Sequence, residues 1–327
     1  MSFICFTLAC AAEPSVAESE TRLGNKVQQS SQVVDLYIPE FSRPTGKYVS
    51  RLLLRIFNAS LRKGSLVFIG NPCTPGMSVM NEEQECEAGN VLQSRRIKTV
   101  VGNFWGKPQT SAGIVFQAEP FMLLELNEKW KNLEDYKQAM YSKYRVRVNK
   151  ALNCSSHLHI AWKSGHELSE TAIDEMAGLL AATLARKTLA LPPDLRGLIK
   201  GFCKEYGDRY QSVFLHNEHG TCVGFLSCVV SAKQVFAMHI GYRVEFAREW
   251  HLYQRLMLEL IGRYIETGMH KLQLGRTATE IKSTLGAVPL ENSIVVYTKS
   301  ILLRQILHFY KRYCFKPKSY TLRQPFH

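Results

Sequence analysis

The run from residue 234 to residue 274 constrains the fold most. Gln234–Tyr242 reads as a strand, Glu249–Gly268 as a helix and Lys271–Leu274 as a second strand. In the helix, Leu252, Leu256, Leu260 and Tyr264 recur at the spacing that forms one ridge, and Met257, Ile261 and Ile265 line its side. A strand–helix–strand unit of this length returns its second strand parallel to the first by a right-handed crossover. Just upstream, Ser212–His216 and Thr221–Ser231 flank the turn residues Asn217-Glu218-His219-Gly220, which predicts an antiparallel hairpin. Helices over Ser169–Leu184, capped by Ser169, and Asp194–Tyr206, opened by Pro192-Pro193, precede it. A helical turn at Thr279–Leu285 and a strand at Ser293–Tyr297 follow. The second half is therefore mixed α/β: a mostly antiparallel sheet flanked by helices, with one parallel crossover.

The rest of the chain reads less sharply. Ile4–Ala12 is apolar and ends in small residues like a secretory leader, but no Lys or Arg precedes it, so a buried strand starting near residue 1 is the better reading. Residues 13–32 read as a polar loop, Val33–Ile38 as a short strand and Tyr48–Leu61 as a helix. Ser65–Ile69 is a strand entering the turn residues Gly70–Gly76, and the acidic stretch 78–92 is either a helix start or a loop. Strand pieces follow at Ile97–Phe104, Gly113–Phe116 and Phe121–Leu126. Trp130–Asn153 is a basic helix, with Asn132 and Asp135 in an N-cap arrangement and Tyr136, Met140, Tyr144 and Val148 on one face. Ser156–Trp162 is a strand, Ser300–Tyr313 a last basic helix and Phe315–His327 a basic tail.

Charge narrows the partners. The chain has 41 Lys and Arg against 28 Asp and Glu, a net +13. The excess gathers at residues 41–80, 131–152 and 241–327. Such a balance favours a phosphate-bearing ligand, an anionic surface or nucleic acid, and says nothing about fold. Nine cysteines, odd in number and without a C-x-x-C pair, read as reduced thiols of a cytoplasmic protein, with the inner membrane face as a peripheral surface.

Phosphate-loop, dinucleotide, zinc-protease and nucleophile-elbow signatures are absent. His157 and His159 share a strand face, which solvation explains better than a metal; no metal site is expected. Cys222 and Cys228 read as core thiols on one strand face. What stands out is Gly275-Arg276-Thr277-Ala278-Thr279-Glu280-Ile281-Lys282-Ser283 and then Gly286-Ala287, directly after a strand. Glycine there lets backbone approach a ligand, and Thr277 or Thr279 can cap the next turn, whose free amides suit a phosphate or carboxylate. An ordinary strand–turn–helix corner with Glu280 and Lys282 in water fits the same residues.

Three blocks carry a family resemblance. They are Trp130–Tyr136 with Ser142–Arg147, then Val223-Gly224-Phe225 with His239-Ile240-Gly241-Tyr242 ahead of Leu252-Tyr253, and finally Leu274–Ala287. In this order they resemble the GNAT acyltransferase superfamily, in particular its FemAB-like branch, over roughly residues 121–327. The resemblance implies a C-terminal GNAT domain at 121–327 and a degenerate or truncated GNAT-like lobe at 1–120. It implies transfer of an acyl group, acetyl or aminoacyl, from a CoA-type or other activated donor to an amine or hydroxyl. Acyl-CoA, such as acetyl-CoA, is then a co-substrate and no cofactor is tightly bound.

One departure bears on the donor. Where many relatives carry a glycine-rich pyrophosphate loop, this chain has Arg243-Val244-Glu245-Phe246-Ala247-Arg248. Lys282 is expected to stabilise negative charge, Glu280 or His239 to act as base and Tyr253 to protonate the leaving group. Gly275, Arg276, Thr277 and Arg243 are expected on the donor, and Lys143, Arg145, Arg147 and Tyr242 on the acceptor. Two further readings are a catalytically inactive module that binds anionic lipid or RNA through basic helices, and an aminoacyltransferase using charged tRNA. The absence of a long helical hairpin lowers the last.

Overall fold

Strands of the chain divide between two sheets, and the division does not follow chain order. A computed structural model describes residues 65–69, 82–93, 95–106, 108, 110, 112–185, 194–232, 234–315 and 319–327, together with 52 and 56. The readings at 4–12, 13–32, 33–38, 70–76 and Pro192-Pro193, and most of that at 48–61, lie outside the described residues.

The smaller sheet holds β1 (Leu66–Ile69), β2 (Thr99–Trp105), β3 (Ile114–Gln117) and β11 (Asn292–Thr298) in the order β1-β2-β11-β3. α1 (Glu82–Gln93) covers one face, where Ala88 meets Val100, Val295 and Tyr297. α8 (Ile301–Tyr313) covers the other with Leu303, Leu307 and Tyr310, and Ser300 caps it by accepting from Leu303 N.

The larger sheet runs β10-β4-β9-β8-β7-β6-β5. Its strands are β4 (Phe121–Glu125), β5 (His159–Ser164), β6 (Tyr210–His216), β7 (Cys222–Val230), β8 (Gln234–Tyr242), β9 (Lys271–Gln273) and β10 (Val288–Leu290). All neighbours are antiparallel except β8 and β9, which pair parallel across α6 (Leu252–Glu266), as the crossover requires. One face carries α6 with α2 (Leu133–Gln138) and α3 (Ser142–Cys154); the other carries α4 (Glu170–Ala185) and α5 (Leu195–Tyr206). A short helix, α7 (Thr279–Ser283), follows β9.

The expected helix at 130–153 is broken into two at Ala139–Tyr141, while its cap holds: Asn132 Oδ1 accepts from Asp135 N at 3.0 Å. Arg255 on α6 is buried, donates to Ser155 O and Oγ at 2.8 and 2.9 Å, and pairs with Glu259 at 2.7 Å. It thus satisfies the carbonyl end of α3 inside the core.

The division at 120/121 does not coincide with the sheets. The chain passes from β3 to β4 through Ala118–Pro120, and back through Glu291 from β10 to β11, which pairs with both β2 and β3. Residues 292–314 therefore complete the first sheet rather than the second. The two passages are tied side by side: Ala118 N donates to Asn292 O at 2.9 Å and Asn292 Nδ2 to Glu119 O at 3.4 Å.

A second correction concerns the cysteines. His216 pairs with Cys222 but Leu215 with Gly224, so β7 carries an extra residue at its start. That bulge resets the alternation: Cys222 joins the α4–α5 core and Cys228 the α6 core, where its sulfur lies 3.2 Å from Tyr264 Oη. Burial pushes the Cys228 thiol up to about 12 and Cys222 to about 11, which leaves both protonated.

Candidate active site

β8 is paired to β9 only at Gln234, Val235 and Phe236, although it continues to Tyr242. Directly after these pairs lies a bulge. Cys228 pairs with Ala237 and Leu226 with Ile240, so Ser227 alone opposes both Met238 and His239. A bulge bends its strand and increases its twist. From Ala237 to Tyr242 the strand has no described pairing on the β9 side, which leaves a gap in the ladder of the two parallel strands.

One wall of the gap is the glycine-led turn. Gly275, Thr277 and Ala278 all have positive φ, at +74°, +68° and +49°. For the two residues with a Cβ this costs roughly 1–2 kcal/mol each, so the surroundings must hold it. Lys282 does so: it is 2% exposed, and its Nζ donates to Gly275 O at 3.1 Å and Arg276 O at 2.8 Å. The α7 N-cap is Ala278, with no side-chain cap, so neither Thr277 nor Thr279 plays the capping role expected of it. Arg276 lays its guanidinium over the Phe121 ring at 5.5 Å. Gln273 Oε1 and Thr279 Oγ1, one on each side of the turn, are buried without a hydrogen-bond partner among the described residues. Sequence reading expected neither atom to be left unpaired; the one available signal was a glutamine between two leucines in a core strand.

The other wall is the end of β8. Gly241 carries no side chain because a Cβ would lie 2.6 Å from Leu180 N and 2.7 Å from Leu179 C, so glycine lets the α4 backbone rest on the strand. Thr183 on α4 donates to Leu179 O at 2.9 Å and accepts from Tyr242 N at 3.1 Å. Tyr242 meets Tyr253, in the first turn of α6, edge to face at 6.5 Å. Burial raises the Tyr253 hydroxyl well above its ordinary pKa, with Tyr242 adding to the shift, which keeps it protonated.

The remaining expected residues lie elsewhere. His239 is turned by the bulge to the α4–α5 face. It is 9% exposed, stands edge-on to Phe202 at 5.0 Å, and its Nδ1 is 3.3 Å from Ser227 Oγ. Burial lowers its pKa to about 4. Glu280 is exposed and accepts from Thr321 N at 3.0 Å, so it faces the C-terminal segment. Arg243 folds back onto β7, donating to Cys222 O at 3.2 Å, with Glu245 at 3.7 Å. The glycine-free stretch after it is held by Phe246 and Trp250, stacked at 4.1 Å. Lys143 and Arg147 both lie over the Tyr144 ring, at 4.9 and 5.7 Å, while Arg145 points toward Gln138. Thus Gly275, Arg276, Thr277 and Lys282 are brought together, and Tyr242 and Tyr253 form a pair. His157 lies edge-on to Trp250, and no metal-holding group of His, Cys, Asp or Glu occurs among the described residues.

A parallel pair that splits at a bulge, with a stapled glycine turn on one side, lies inside the stretch that decides the family: residues 142–283 match the model of the Acetyltransferase (GNAT) domain. Over that stretch the chain is similar to the GNAT acetyltransferase domain. The domain it matches is that of an acyltransferase family. No curated protein matches the chain. Among solved structures, FemX is similar at 10% identity and TM-score 0.49, over 74% of this chain and 82% of its own. L-PGS from Bacillus licheniformis is similar at 12% identity and TM-score 0.46, over 69% and 75%. A tandem GNAT protein from the clavulanic acid biosynthesis pathway is similar at 10% identity and TM-score 0.41, over 66% and 70%.

Proposed function

We propose that this GNAT domain transfers an acyl group from an activated donor, a CoA-type thioester in the simplest case, to an amine or hydroxyl acceptor. The observation that carries this is the gap between β8 and β9, walled by a strained turn whose carbonyls a buried lysine holds. An extended donor arm placed there adds to the edge of β8 as a further strand would, and Gln273 Oε1 and Thr279 Oγ1 offer it the pairing they lack. The acceptor's lone pair attacks the donor carbonyl carbon. The Lys282 charge beneath the turn favours the resulting oxyanion. The carbon–sulfur bond then breaks, Tyr253 gives its proton to the departing thiolate, and the acceptor's proton leaves to water. His239, neutral and turned to the other face, and Glu280, engaged by the C-terminal segment, take no part in this reading.

The test is acyl transfer and donor hydrolysis with acetyl-CoA, an acyl carrier and charged tRNA, in the wild type and in Lys282→Ala. Turnover with one donor, reduced about 10²-fold or more in the variant, is expected. Failure of all three donors to bind or react overturns the reading.

A second component is the partner surface, for which α8 is the favouring observation. Ile301, Leu302, Phe309 and Tyr313 are exposed on it, at 74%, 69%, 53% and 54%. Residues 299–327 hold seven Lys and Arg and no Asp or Glu. An apolar stripe within a stretch that carries basic and no acidic residues suits an anionic bilayer surface. No helix among the described residues is long and apolar enough to cross a membrane.

A further inference from the structure

The C-terminal segment read as a plain basic tail is built into the site block. Thr321 N donates to Glu280 Oε1 at 3.0 Å and Arg323 N to Ser283 Oγ at 3.1 Å. Three residues further along the chain from Ser283, Gly286 has φ +90°, and a Cβ on it would overlap the Phe326 ring. The segment therefore meets the α7 region at three points, 280 and 283 on the helix and 286 just beyond its end.

On its other side the segment is fixed to the corner between α2 and α3. Tyr141 N donates to Pro325 O at 2.8 Å and His327 N to Ala139 O at 3.3 Å, and Met140 bridges to Phe326. The Phe326 ring lies 5.1 Å from Trp130 and 5.5 Å from Tyr136, rings that are themselves 5.3 Å apart edge to face. Tyr136 also donates to Leu285 O at 2.8 Å, just before Gly286. A helix of five residues has no stability of its own. What holds α7, and with it Lys282 and the strained turn, is this packing from outside.

We infer that Phe326 is a positioning residue of the acyl-transfer site: it locks α7 against the α2–α3 corner and so keeps Lys282 under the Gly275–Ala278 turn. This deepens the proposed function and rests on it for activity alone. Phe326 packs at the margin of the core rather than within its fully buried set, so its loss acts locally.

The experiment uses the full chain as wild type, Phe326→Ala and Phe326→Leu, read by amide hydrogen exchange and by turnover of acetyl-CoA with an amine acceptor. In Phe326→Ala, exchange across residues 275–287 rises at least tenfold while amides of β6–β8 keep their protection. kcat falls at least tenfold, KM for acetyl-CoA stays within threefold, and Phe326→Leu recovers most of both. Unchanged exchange across 275–287 overturns the inference, as does a rise spread evenly through β6–β8. Loosening of that segment with kcat unaltered overturns it too. If the wild type turns over no donor, the acyl-transfer reading fails by itself, and the exchange pattern still decides whether Phe326 locks α7.

Discussion

His239 shows how one residue's surroundings set its chemistry. Its imidazole faces Phe202 and Ser227 inside the α4–α5 core, and desolvation lowers its pKa from 6.5 to about 4. In the folded protein it is neutral down to about that value, whereas in the unfolded chain it takes up a proton near 6.5. Between these limits the unfolded state binds more protons, so stability falls as pH drops through the window and is unaffected above it. The loss reaches about 3 kcal/mol at most. Urea unfolding of the wild type and His239→Gln at pH 7.5, 6 and 5 measures it. The wild type is expected to lose stability relative to the variant as pH falls, and parallel curves would show that the buried imidazole contributes nothing. His216 is half-buried and shifts in the same direction, so the comparison between the two proteins is what isolates His239.

Between elements, the close approach of α4 to β8 is the contact most exposed to a single change. Gly241→Ala places a methyl group against the Leu179–Leu180 backbone, which cannot rotate away as a side chain would. The expected cost is about 1–3 kcal/mol, seen as a lower thermal midpoint, and an unchanged midpoint would mean that the helix lifts freely. This contact was half legible: a glycine inside a strand signals close backbone approach, but the partner is 61 residues away and no local pattern names it. The same limit explains other outcomes. Strands β6, β7 and β8 and helix α6 were readable because periodicity is local. The faces of Cys222 and Cys228 were not, because a bulge of one residue reverses every side chain after it. Gly275, Arg276, Thr277 and Lys282 stood out by spacing after a strand, but that Lys282 holds carbonyls from below depends on the turn's left-handed residues, which no spacing displays. Phe326 was invisible as a site residue because its contact with the α7 region, at Gly286, joins positions far apart in the chain.

At the scale of the molecule, the net +13 resolves into patches with different surroundings. On α3, Lys143 and Arg147 spend their charge on Tyr144, and on α8 the basic residues border exposed Leu302, Phe309 and Tyr313. Binding to vesicles of phosphatidylglycerol and phosphatidylcholine tests that border. The protein is expected to sediment with mixed vesicles at low salt, to be released by added salt, and to lose at least fivefold in affinity in Lys311→Glu with Arg312→Glu. Equal binding to pure phosphatidylcholine, or to competing RNA instead of vesicles, would remove the bilayer as partner. The crossing of the chain between sheets has a separate consequence, for biosynthesis. β2 and β3 leave the ribosome long before the strand that lies between them, β11, which follows the whole of the larger sheet in the chain. Until then each presents an unpaired edge, a template for wrong partners. The smaller sheet thus closes only once β11 is made, and the open edges of β2 and β3 persist through the synthesis of residues 142–283.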